Sequence, residues 1–243
     1  MDNLIVFTVV TLLTIILAFI FSIDKLKGTF TCNKYILNTY LYIILTFLLL
    51  SLGIQLINKT KFMLTSPIFF GTFLLLLGLI FLMNSIKVNT PTNMVIKHLL
   101  WLLFISCFAL QLSVIFKNPN NKEVITRAFL TTGLIVTILT VIAFIKPEWI
   151  SFSWGKVLFF LLLSAIIMEL LSLFFFKNYK QSTFRKIFTY FVIAIFVGFI
   201  LYDTKMMQVR AKSCKVADYI KESLSLFLDI LNLFLRILSL NRN

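Results

Sequence analysis

Long apolar runs separated by short polar breaks dominate the chain. A helix needs about 20 apolar residues, with roughly 17 to 25 observed, to cross a hydrocarbon core about 30 Å thick. Eight runs approach or reach that length, over residues 4–23, 35–57, 62–83, 99–116, 128–145, 157–176, 187–203 and 223–240. The breaks are short and polar, as in Asn58-Lys59-Thr60-Lys61, so consecutive helices are expected to be antiparallel neighbours. The pattern predicts an all-α fold, a polytopic membrane helix bundle, with residues 1–243 as a single integral membrane domain. Pro67 falls near a helix start, where a missing amide hydrogen breaks little.

Only Asp2 and Asn3 precede the first run, without Lys or Arg, and no A-x-A pattern follows it, so a retained helix is expected rather than a cleaved signal. Lys and Arg divide 12 to 11 between alternate sets of loops, so the positive-inside rule selects no orientation. The last run is the one whose mode of insertion is open. Glu222, Ser225, Asp229, Asn232 and Arg236 recur there at steps of three and four, which places them on one helix face amid Leu, Ile and Phe. That stripe fits either an amphipathic helix at the interface or an acid-lined face buried in a bundle.

Composition sharpens the class. Hydrophobic residues make up 60% of the 243 and charged residues 13%, which excludes an ordinary soluble domain. The net charge of +14 is spread over many short loops instead of one basic stripe, so lipid headgroups, not nucleic acid, are the expected partner. Cys32, Cys107 and Cys214 are odd in number and lack metal-ligand spacing, and are read as free thiols with no disulfide and no zinc. The sequon at Asn58 lies between two apolar runs and is expected to stay unmodified.

Candidate chemistry rests on acids inside apolar runs, because an ionised carboxylate in hydrocarbon costs several kcal/mol and normally faces protein or a water-filled path. Asp203 closes the seventh run and Asp229 lies within the eighth. Two carboxyls meeting in low dielectric cannot both ionise cheaply, so such a pair shares a proton and titrates as a unit. With oxygens from Thr204, Ser225 and Asn232, the two acids could form a weak, transient site for a hard divalent cation, and conduction requires that weakness. Glu169 is a third intramembrane acid, and Ala165 and Ser172 on its face leave room for a neighbouring helix. It reads either as a path-lining carboxyl or as a protonated one bonded to a neighbour, and on both readings Glu169→Gln should leave folding intact.

The Tyr202-Asp203-Thr204 end of the seventh run, followed by Phe227-Leu228-Asp229-Ile230-Leu231-Asn232-Leu233-Phe234, resembles the last two helices of the transmembrane Bax inhibitor motif family. The resemblance implies a seven-helix core over residues 35–243, with residues 1–34 as an extra N-terminal hydrophobic helix and loop. It implies that Asp203 and Asp229 form a proton-sensitive pair at a calcium-permeable leak, with calcium ions and protons passing or binding transiently and no resident cofactor. It further implies a role at the endoplasmic reticulum or Golgi membrane, lowering stored calcium and opposing apoptosis, with cell-death regulators as partners. In a bacterium the corresponding site is the plasma or inner membrane. Members often carry a basic cluster after the second helix of that core. Here Lys87, in Met83-Asn84-Ser85-Ile86-Lys87, is the one nearby cation that could partner the acids, and Lys205 stands where the motif often has Gln.

Other classes fit less well. An intramembrane aspartyl protease needs a glycine beside its second acid so that substrate backbone can approach, and Asp229 has none. A secondary transporter should show an inverted repeat, and no internal symmetry is visible. No enzymatic activity is expected. The reading that competes with a leak is a non-conducting membrane protein that modulates cell-death or calcium-handling proteins, its acids serving as internal polarity.

Overall fold

The computed structural model describes residues 30–60, 64–117, 122–175 and 183–241. Among them are seven α-helices: α1 (Tyr35–Lys59), α2 (Ser66–Ser85), α3 (Pro91–Phe116), α4 (Lys122–Ile145), α5 (Trp154–Phe175), α6 (Thr183–Lys212) and α7 (Tyr219–Asn241). A 3-10 turn, Pro147–Trp149, links α4 to α5. All seven helices are long and apolar enough to cross a membrane, so the chain is an all-α, polytopic membrane protein. The run at 4–23, read as an extra helix, lies outside the described residues.

Several helices are longer than their apolar runs, α3 and α6 by the most. α3 begins at Pro91, where the Thr90 hydroxyl caps the Asn93 amide at 3.2 Å and proline occupies the first turn. Its first turns carry Lys97 and His98, which look polar in sequence yet are buried. α6 continues past its apolar run to Lys212, so Asp203 lies well inside a helix and not at its end. α7 starts just after Asp218, whose carboxylate accepts from the Lys221 amide at 3.1 Å and satisfies an otherwise free helix N-terminus.

The helices fall into two compact units. The first comprises α1, α2 and α3 with the end of α6 and the start of α7. α1 and α3 approach so closely that a Cβ at Gly53 would come within 2.8 Å of the Ala109 Cβ, the small-residue contact expected where lipid supplies no hydrophobic drive between helices. Gln111 of α3 reaches α2, donating to the Phe69 carbonyl at 2.9 Å and the Thr72 hydroxyl at 2.5 Å. At the start of α3, His98 Nδ1 lies 2.8 Å from the Met94 carbonyl, which can only accept. Nε2 lies 3.0 Å from the Tyr42 hydroxyl and accepts from it when the ring is neutral. Lys97, fully buried, pairs with Asp218 at 2.5 Å and donates to the Ile86 carbonyl at 3.1 Å. Tyr219 packs among Phe30, Tyr35 and Tyr42.

The same unit overturns the reading of three free thiols. Cys32 and Cys214 form a disulfide across 182 residues of sequence, while Cys107 is free and buried. No spacing rule could reveal this pairing, because it depends on the fold bringing the segment before α1 to the α6–α7 connection.

The second unit comprises α4, α5 and the rest of α6 and α7. α6 lies close to α5 at two glycines: a Cβ at Gly198 would meet Leu158 at 2.7 Å, and one at Gly155 would meet the Tyr202 ring at 2.5 Å. Gln208 of α6 donates to the Ala143 carbonyl near the end of α4 at 3.0 Å.

Candidate functional site

The second unit brings Asp203 of α6 and Asp229 of α7 together. Their carboxyls lie close enough to share a side-chain hydrogen bond when one of them carries a proton. Asp229 is buried, at 9% exposure, and its Oδ2 has no hydrogen-bond partner among the described residues. The Asp203 contact thus leaves one buried acid oxygen open, and such an atom is costly unless a proton, water or cation reaches it. Ser225 lies one turn before Asp229 on the same helix face, and its hydroxyl donates to Asp203 Oδ2.

The neighbouring oxygens divide. Thr204 is fully buried, and its hydroxyl, adjacent to Asp203 in sequence, has no partner among the described residues. Asn232 is on the α7 stripe, but its amide nitrogen donates to the Leu228 carbonyl of its own helix at 2.8 Å. The close approach of Tyr202 to Gly155 fixes the residue next to Asp203 against α5. That contact is legible in sequence only as a glycine at the start of an apolar run.

Of the charged residues singled out in the sequence, Lys205 and Glu169 have engagements of their own. Lys205 donates to the Ile150 carbonyl and lies 4.3 Å from the centroid of the Phe152 ring, so the cation in place of the motif's Gln is held by a backbone acceptor and a π face. Lys87 is exposed in the connection between α2 and α3 and forms no ion pair among the described residues. Glu169 is neither a lone carboxyl nor one held by a neutral neighbour. Arg236, from the same polar stripe of α7, grips it with two parallel bonds of 2.8 and 2.6 Å. The sequence signal for this partnership was weak, since each residue is a single charge in an apolar run 67 positions from the other.

α7 is one unbroken helix, and half of its spanning window is buried, the largest share among the seven. Its acid-bearing face is thus turned into protein at Asp229. Among the described residues no three His, Cys, Asp or Glu side chains converge as a metal cluster.

The family model described as inhibitor of apoptosis-promoting Bax1 matches residues 32–242. The chain belongs to this family. An uncharacterized membrane protein of Vibrio cholerae serotype O1 is 27% identical over 219 residues, covering 89% of this chain and 92% of the relative. The Bax1-inhibitor match begins at Cys32 and takes in all seven described helices. Both members of the acid pair therefore lie within the family region.

Proposed function

We propose that this Bax1-inhibitor family protein is a pH-sensitive calcium leak whose conducting element is the Asp203–Asp229 pair. The observation that carries the reading is the contact of the two carboxyls on consecutive helices, with one buried oxygen of Asp229 left open. Two acids in low dielectric share one proton, so pH sets the charge between α6 and α7 and with it the affinity for a passing divalent cation. Ser225 orients Asp203 by its hydroxyl, and Thr204 supplies a further unengaged oxygen. In an endoplasmic reticulum or Golgi membrane such a leak lowers stored calcium and thereby opposes apoptosis. In a bacterial inner membrane it admits calcium down the same kind of gradient.

The test is calcium flux into dye-loaded liposomes across a pH series. The unaltered protein should pass calcium with a pH-dependent rate. Asp203→Asn and Asp229→Asn should each flatten that dependence, and the double variant should add little, because coupled sites are not additive. A folded protein that passes no calcium at any pH rejects the leak and leaves the non-conducting interaction role. A single Asn variant with an unaltered profile rejects the shared-proton mechanism.

A further inference from the structure

We infer that the Cys32–Cys214 bond is a thiol–disulfide exchange site, whose oxidised form holds the α6–α7 connection against the segment entering α1 and whose reduced form frees it. Both cysteines are partly exposed and lie outside the helices, so an attacking thiolate can reach them. Lys34 follows Cys32 closely and Lys215 follows Cys214 directly, both exposed, and nearby cations stabilise the thiolate that must leave.

The surroundings show what the bond restrains. Lys34 has φ 54, a left-handed conformation rare for a residue with a side chain. The turn that contains it is held to α7 at Tyr219, whose hydroxyl donates to the Thr31 carbonyl and accepts from Asn38 at 3.1 Å. The start of α7 has its own ties, Lys97–Asp218 at 2.5 Å and Arg210–Glu222 at 2.9 Å. Ser213, Lys215 and Val216, around Cys214, are exposed. Breaking the disulfide therefore loosens the connection at the exposed residues beside Cys214 while α7 stays anchored at Asp218 and Tyr219.

The exchange partner is a dithiol reductant. One of its thiolates attacks a sulfur of the bond, the other cysteine leaves as a thiolate, and the second thiol of the reductant resolves the mixed disulfide. The chain gains two thiols with two electrons and two protons, and the reductant becomes a disulfide. Because α6 and α7 carry Asp203 and Asp229, release of their connection should alter calcium flux; that last step rests on the function proposed above, whereas the exchange does not.

The full-length protein, isolated with free thiols blocked by N-ethylmaleimide, should yield a Cys32–Cys214-linked peptide by mass spectrometry. Dithiothreitol should expose those two thiols while buried Cys107 stays unreactive, and oxidised glutathione should restore the link. Amide hydrogen exchange at residues 213–217 should become about tenfold faster or more on reduction, as expected for lost cross-link restraint, and Cys32→Ser and Cys214→Ser should reproduce the reduced pattern. Absence of the linked peptide after oxidation, or identical exchange in both forms, overturns the inference. If exchange at 213–217 responds while the protein passes no calcium in either form, the redox site stands and the leak falls.

Discussion

Arg236 of α7 closes on both carboxylate oxygens of Glu169 in α5, at 2.8 and 2.6 Å. The pair is partly exposed, with side-chain exposures of 26% and 41%, which places its energetics between a surface bridge and a buried one. Glu169→Gln leaves a guanidinium without its counter-charge. It should lower stability by about 2 kcal/mol, between the limits for exposed and buried pairs, a cost that the sequence alone gave no reason to expect. Arg236→Lys, which keeps charge but loses the fork, should cost less. Thermal unfolding in detergent, with the double variant Glu169→Gln/Arg236→Gln as the control that should recover part of the loss, measures both.

Lys97 and Asp218 should behave more severely, because Lys97 has no exposure at all. Lys97→Met strands the Asp218 carboxylate and should cost about 3 to 5 kcal/mol. Adding Asp218→Asn should return a substantial part of this, since partners in one bridge are not additive. A double variant as unstable as the sum of its parts would mean that the two residues stabilise the protein independently.

The glycines divide by what surrounds them. Gly53→Ala drives a methyl to 2.8 Å from the Ala109 Cβ, which only backbone movement can relieve, and should cost about 1 to 3 kcal/mol as overpacking does. Gly71, Gly78 and Gly133 have open space where a Cβ would stand, so alanine there should be neutral or stabilising by up to about 1 kcal/mol through helix propensity. Melting temperatures of the four single variants decide this, and a destabilised Gly71→Ala would count against the open face.

Thr204→Val removes a fully buried hydroxyl that has no partner among the described residues. Stability should hold or rise by about 1 kcal/mol. Calcium flux should fall severalfold if that oxygen assists the passing ion. An unchanged flux with an unchanged melting temperature would take Thr204 off the path and leave the acids with Ser225.

The helices were legible because membrane thickness dictates apolar length, and seven of the runs reappear as α1 to α7. Their ends were less so. The start of α3 was hidden by Lys97 and His98, residues that read as a polar boundary but are buried through Asp218 and Tyr42. Asp203 and Asp229 could be singled out because a carboxyl in an apolar run has few places to go. Their closest helper, Ser225, followed from helical spacing, whereas Asn232, at equally good spacing, turned to its own backbone. The engagements of Glu169 with Arg236 and of Cys32 with Cys214 join positions far apart in the chain. Local pattern carries no trace of such partnerships.

The unequal covering of the helices sets where this chain can drift. In α2 and α5 only 17% of the spanning window is buried, against half in α7, and Phe70, Leu74, Phe81 and Phe160 present themselves outward. Lipid tails demand oil solubility but not shape, so Leu, Ile, Val and Phe are nearly interchangeable on those faces. α7 is judged by protein neighbours, which reject a wrong volume or a misplaced polar atom. Two descendants of one ancestor could thus lose almost all likeness in α2 and α5 and still be told as kin by the residues around Asp229.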